Sequence, residues 1–308
     1  MIQEVIQKLI AGQDLGREEA RAVMDQIMSG GATDAQIGAF LVALRIKGET
    51  VDEIAGCAQA MREKAKPIKT SRMDLIDTCG TGGDGSGTFN ISTTVAFVAC
   101  GAGLAVAKHG NRSISSACGS ADVLAELGVN IEAAPEKVGA CIDEVGIGFL
   151  FAVALHGAMK HAIGPRKELA TRTVFNALGP LTNPAGAKRQ LIGVYDGNLT
   201  DVLAGVLGEL GSERAFVVHG ADGLDEITLT GPTHISELNS GQVSTSEINP
   251  GDFGLELVSV EALAGGDAAQ NAQILRDILD GKQGPQRDVV LLNAAAAIAA
   301  GGLADDMA

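Results

Sequence analysis

The chain has 308 residues, 46% of them hydrophobic, enough to bury a large core or one core with a smaller helical unit beside it. Its formal net charge of −15 at pH 7 argues against a general affinity for nucleic acid, which needs many lysines and arginines facing phosphates, but leaves room for a local cationic pocket. Five cysteines, an odd number with no Cys-x-x-Cys pair, fit a reducing compartment and offer no disulfide or zinc framework.

Residues 1–66 read as four consecutive helices, because "QEVIQKLIAG", "REEARAVMDQIMSG", "TDAQIGAFLVALRIKG" and "TVDEIAGCAQAMREKA" all repeat apolar residues near 3.6. Thr33 and Thr50 are N-cap candidates, with Gln36 and Glu53 three residues on as capping-box partners, and Pro67 closes the segment. The first 15 residues mix charge into this pattern and lack a signal-peptide core. No uncharged apolar run reaches the roughly 20 residues that span a bilayer. The longest candidate, 289–304, is Ala-rich and contains Asn293. A cytoplasmic, soluble protein is expected.

From about residue 73 short strands alternate with helices. "DLIDTC" leads to a helix over about 90–102, and "GLAVAKHG" to one over 119–128. "FLFA" (149–152), "QLIGVYD" (190–196) and "RAFVVHG" (214–220) continue the series. Such alternation implies βαβ units and a mostly parallel sheet. Residues 160–186 lack strand character and are expected to rejoin the first helices. The expected fold is therefore α/β: a small all-helical N-terminal domain, 1–70 with about 160–187, and a large α/β domain, 71–159 with 188–308, whose central sheet is flanked by helices.

The stretch "IDTCGTGGDGSGTFNIST" (76–93) carries glycines at 80, 82, 83, 85 and 87, then hydroxyls at Ser92 and Thr93, with Thr94 next. Glycine gives access to positive φ and exposes N–H groups, so a cluster this dense points to an anion cradle more than to a plain turn. Gly80, Gly82 and Gly85 satisfy G-x-G-x-x-G, but "FVACGAGLAVA" supplies no acid about 20 positions on to hold a ribose. Walker A fails too, since no Gly-Lys-Ser/Thr closes the loop. What remains is a glycine loop carrying Asp84, then "NIST" opening a helix whose N–H groups can hold a phosphate.

The next strand ends in "AKHGNRSISS" (107–116), with cations Lys108 and Arg112 and donors Asn111, Ser113, Ser115 and Ser116. In an open α/β sheet that edge is where ligands bind. Alone the stretch reads equally as a solvated turn; beside the glycine loop it favours a site. Asp225 and Glu226 in "GADGLDEIT" are either a solvated surface pair or ligands for Mg²⁺, which often meets one or two carboxylates and substrate phosphates. His109, His156 and His219 each precede a glycine, which marks turns more simply than a converging metal site.

Together "GTGGD", "NIST", "KHGNRSISS", "GSADVLAELG", "FNALGPLTNPA" and "DGLDE" resemble the anthranilate phosphoribosyltransferase family over essentially the whole chain. The resemblance implies transfer of a 5-phosphoribosyl group from phosphoribosyl pyrophosphate (PRPP) to the amine of anthranilate, with Mg²⁺, two ions per monomer, in a homodimer joined through the helical domain. It puts PRPP contacts on Gly80, Gly83, Asp84, Thr88, Asn90, Ile91, Ser92, Thr93, Lys108, His109, Gly110, Asn111, Arg112, Ser113, Ile114, Ser115, Ser116 and Ser120. It puts metal ligands on Ser92, Asp225 and Glu226. Anthranilate contacts fall on Gly80, Asn111, His156, Arg166, Gly179 and Pro180. Lys108 and Arg166 act electrostatically, with no nucleophile or base. Arg166 suits a planar carboxylate through its two-pronged geometry; the alternative for it is a surface ion pair with Glu168 or a similar acid. One departure is Met159, where some members carry a tyrosine. Rival readings are a pyrimidine nucleoside phosphorylase-like enzyme and a catalytically silent relative that binds nucleic acid; the latter lacks the basic surface it would need. Neither a nucleic-acid nor a membrane partner is expected.

Overall fold

The computed structural model describes residues 1–113 and 117–308. Amphipathic segments with polar caps build the helical start: α1 (Ile2–Ile10), α2 (Arg17–Met28), α3 (Asp34–Lys47) and α4 (Val51–Lys64). Thr33 and Thr50 form reciprocal capping boxes with Gln36 and Glu53, satisfying N–H groups that a helix start leaves orphaned. Met24, Ile27, Ile37, Phe40, Leu41 and Leu44 are fully buried between these helices. Each such side chain contributes about 1.5–3 kcal/mol by leaving water.

The larger part alternates strands and helices: β1 (Leu75–Gly80), α5 (Ile91–Gly101), β2 (Ala105–Gly110), α6 (Ser120–Glu126), α7 (Pro135–Val145), β3 (Ile147–Phe151) and α8 (Ala152–Leu155). Then α9 (Lys160–Leu169) and α10 (Val174–Leu178) return to pack on α2, α3 and α4. The chain resumes with β4 (Arg189–Gly193), α11 (Thr200–Glu209), β5 (Arg214–Gly220), β6 (Thr233–Asn239), β7 (Gln242–Ile248), α12 (Ala268–Leu279) and α13 (Pro285–Ala300). Among the described residues no helix is long and apolar enough to cross a membrane.

The seven strands lie in the order β3-β2-β1-β4-β5-β6-β7. The first five are parallel, while β6 and β7 add an antiparallel hairpin at one edge. Alternation sorts the strand residues by face. Ile76, Val106, Leu191, Phe216 and Val218 join α5 and α13 in one core, and Ile192, Val194 and Val217 join α11 and the helical bundle in another. A third core sets Ala105, Ala107 and Leu150 against Val138 and Ile142 of α7. Strand β1 is the middle of the five parallel strands: the chain passes from it to β2 and β3 on one side, then crosses back to β4 on the other. The boundary between β1 and β4 is thus the switch point at which open α/β sheets bind ligands.

Candidate active site

At the switch point, Gly80 of β1 and Gly193 of β4 are direct register partners. A Cβ on Gly193 would lie 1.4 Å from the Asp225 carbonyl oxygen, and one on Gly80 would lie 2.4 Å from Asp225 Oδ2. Bare backbone on both strands is therefore what seats Asp225 over the sheet edge. Its Oδ2 accepts a hydrogen bond from the Gly82 N–H at 2.7 Å. The neighbouring Glu226 is buried, and its Oε1 accepts from the Ser92 N–H in the first turn of α5 at 3.0 Å. Desolvation, with Asp84 close by, pushes the Asp225 carboxyl well above the usual carboxylate range. Desolvation and then the Asp225 charge do the same to Glu226. The turn bearing both is pinned from α13, where buried Asn293 accepts from the Ile227 N–H at 2.9 Å and donates to the Ile227 carbonyl at 2.8 Å.

Beneath this pair lies a buried polar layer. Lys108 is only 3% exposed, and its Nζ donates to the Thr78 carbonyl at 2.5 Å. Burial lowers its pKa, against the attraction of Asp77, Cys79 and Glu226. Asp77 accepts from the His109 N–H at 3.0 Å and from Asn183 Nδ2 at 2.8 Å. Asn183 also donates to the Ala107 carbonyl at 2.8 Å, so one amide ties β1 to β2 through the loop after α10. Lys108 is thus a buried counter-charge within the strand layer, set under Glu226.

His109 and His156 meet with Nε2 atoms 3.2 Å apart, and His109 also bonds the Gly179 backbone. Burial pushes His109 down to about 3 and His156 to about 4, so both rings are neutral at pH 7. His219 stands apart and bonds the Val194 carbonyl at 2.7 Å. Arg166 on α9 lies 5.0 Å from the Phe175 ring centroid, and burial lowers its pKa. Among the described residues no carboxylate pairs with it; the surface ion pair open in the sequence is not formed.

Other expected contacts are already engaged. Arg112 Nη1 pairs with Asp122 Oδ1 at 2.7 Å, and Asp122 Oδ2 accepts from the Ser113 N–H at 3.2 Å and the Gly119 N–H at 2.9 Å. Ser120 Oγ donates to the Asn111 carbonyl at 3.1 Å, beside Gly110 at the end of β2. Asn90 caps α5 without a side-chain bond to the helix, because its amide reaches Cys118 and Asn271 instead. Thr88 contacts Ser86 and bridges to Ala264. Ile91 is buried, and the hydroxyl of buried Thr93 has no partner among the described residues. Pro180 is held through its carbonyl by Gln190 Nε2 at 2.9 Å. Ile114, Ser115 and Ser116 lie outside the described residues.

For a divalent cation the donor set fits. Two hard carboxylates lie together where burial has raised the cost of negative charge, with Ser92 tied to Glu226 through its backbone N–H. Among the described residues no group of three or more His, Cys, Asp or Glu could hold a metal alone. Such a pair suits Mg²⁺, which keeps waters and takes substrate phosphates as its remaining ligands.

A glycosyl transferase family helical bundle domain matches residues 3–65, and the a/b domain of the same family matches 72–308. Anthranilate phosphoribosyltransferase from Moorella thermoacetica is 59% identical over 307 residues, covering 100% of this chain and 91% of the relative. The enzyme of that name from Anaeromyxobacter dehalogenans (strain 2CP-C) is 60% identical over 307 residues, with the same coverage. The chain belongs to the anthranilate phosphoribosyltransferase family. Anthranilate phosphoribosyltransferase from Thermus thermophilus superposes with a TM-score of 0.94 at 45% identity, covering 98% of this chain and 91% of that one. The Saccharomyces cerevisiae enzyme in complex with PRPP and Mg gives 0.89 at 29% identity, covering 99% and 90%.

Several residues that build this anthranilate phosphoribosyltransferase site carry no local signal. Gly193 and Asn293 matter only because the fold sets them against residues 225–227. Asp77 is an acid inside a strand and Asn183 lies in the quoted "LTNPA"; both stand out as oddities in the sequence, but their pairing does not.

Proposed function

We infer that this chain transfers the 5-phosphoribosyl group of PRPP to the amine of anthranilate, releasing pyrophosphate, as a glycosyltransferase of tryptophan biosynthesis. The observation that carries the reading is the carboxylate pair seated on Gly80 and Gly193, with the Gly82 and Ser92 amides directed at it. The glycine loop and the first turn of α5 present N–H groups and hydroxyls to an anion, and the Thr93 hydroxyl, without a partner among the described residues, supports a ligand atom there.

Asp225, Glu226 and Ser92 would hold Mg²⁺, two ions per protomer in this proposal, and the metal would supply electrostatic stabilisation of the departing pyrophosphate. As the C1–oxygen bond breaks, its electron pair leaves with pyrophosphate and positive charge builds on the ribose. Lys108 offsets the negative charge of Glu226 from below. Anthranilate's arylamine is neutral at pH 7 and needs placement more than deprotonation. Arg166, held over Phe175 with no carboxylate partner among the described residues, suits its carboxylate. Neutral His156, which meets His109, would join Gly179 and Pro180 as further anthranilate contacts.

The proposal extends to organisation. Residues 160–187 form one domain with 1–70, supported by the packing of α9 and α10 on α2–α4. That domain makes the homodimer contact, supported by Ile10 and Ile46, exposed at 67% and 80%. Pyrophosphate release measured with and without anthranilate tests the reaction. Release that depends on anthranilate and Mg²⁺ is expected; phosphate-dependent cleavage of a pyrimidine nucleoside instead would assign the site to phosphorolysis.

A further inference from the structure

The segment between α9 and α10 reaches the glycine loop through one side chain. The Arg172 guanidinium lies 3.9 Å from the ring centroid of Tyr195, the chain's single tyrosine, and its Nη2 donates to the Gly83 carbonyl. Tyr195 donates its own N–H to Thr81 Oγ1 at 3.1 Å, and the Thr81 N–H donates to the Gly193 carbonyl at 2.9 Å. On the other side the Gly82 N–H is held by Asp225. The turn 81–83 is therefore gripped from β4, from the carboxylate pair and from residue 172.

The loop has little means of holding its own shape. A Cβ added at Gly82, Gly85 or Gly87 would meet nothing within 4 Å, and residues 82, 83, 85 and 87 all have positive φ. A chain of glycines with open space around it samples many conformations, so its order depends on outside contacts. Arginine stacked on an aromatic face keeps its planar fork aimed with little further loss of rotamer freedom.

We propose that Arg172 is a positioning residue for the PRPP loop: stacked on Tyr195, it fixes the Gly83 carbonyl and so aims the loop's N–H groups at the pyrophosphate. The inference rests on the phosphoribosyl transfer proposed above. Arg172 touches no reacting atom, and it follows directly on α9, which carries Arg166, so it joins the loop for PRPP to the element that faces anthranilate. Its loss falls on PRPP, because the bond it makes is to the PRPP loop.

Steady-state kinetics and thermal midpoints of wild type, R172A, Y195L, Y195F and R172A/Y195L test this. Wild-type turnover tests the parent reading by itself. R172A and Y195L should each raise the KM for PRPP about three- to tenfold, the range of one net hydrogen bond, with the KM for anthranilate unchanged within about twofold. Y195F should behave as wild type, because the ring that carries the guanidinium remains. The double variant should be no worse than the poorer single, since both remove one contact. An active wild type whose R172A variant keeps its KM for PRPP overturns the proposal. So do an equal rise in both KM values, additive losses in the double variant, or a lowered thermal midpoint with unchanged KM.

Discussion

Burial and crowding by other carboxylates raise the pKa of both Asp225 and Glu226, so across the region above about pH 4 the folded chain binds protons that the unfolded chain has released. Stability from this pair therefore falls as pH rises from about 4 through the raised values. Replacing both with alanine should abolish turnover and any Mg²⁺ response while leaving the metal-free thermal midpoint at pH 8 equal to or above that of wild type. Retained turnover at saturating Mg²⁺, checked by pyrophosphate release, would remove the pair from the site. Arg166→Ala should raise the KM for anthranilate by about tenfold or more, the scale of a charge-assisted hydrogen bond, and that for PRPP far less. Equal penalties on both substrates would make Arg166 structural. Gly83 has φ +75° and open space around an added methyl, its nearest neighbour being Arg172 Nη2 at 3.8 Å. Gly83→Ala should thus cost about 1–2 kcal/mol by backbone strain alone, with weaker PRPP binding by calorimetric titration. Unchanged PRPP affinity would leave this glycine to the turn.

Among the elements, the capping boxes of α3 and α4 are readable because a cap is chemistry within four residues. The same Glu53 does more than its local pattern states. Its Oε1 accepts from the Leu15 N–H at 2.9 Å, and its Oε2 pairs with Lys47 at 3.0 Å, in a fully buried position. Glu53→Ala should cost about 3–5 kcal/mol, because it leaves Lys47 short of a buried partner and Leu15 without an acceptor; urea titration measures it, and a loss under about 1 kcal/mol would reduce Glu53 to an ordinary cap. The parallel strands are legible as apolar runs ending in glycine or polar residues. The hairpin of β6 and β7 is not, since β7 reads "QVSTSEI" and is exposed along most of its length, so no apolar face announces it. Helices α7 and α12 do carry local signals, Pro135 at the start and Gly146 at the end of the first and an Asp267–Gln270 capping box opening the second.

Over the whole molecule, what the sequence conveys is the chemistry of each loop, and what it withholds is which loops meet. The glycine loop, "NIST" and "DGLDE" each suggest an anion or a cation on local grounds. Their convergence depends on β1 and β4 lying side by side, which brings Gly193, Asp225 and Gly82 together across distant stretches of chain. Lys108 illustrates the limit: its place at a strand end suggests a cation facing ligand, while its burial and its bond to the Thr78 carbonyl come only from the fold. The central claim is that this assembled edge moves a phosphoribosyl group onto anthranilate, and it is tested most directly by following anthranilate fluorescence after PRPP and Mg²⁺ are added. The account predicts a loss of fluorescence that requires PRPP and Mg²⁺ together and is matched by released pyrophosphate. Steady fluorescence with folded wild-type protein at saturating substrates would contradict it.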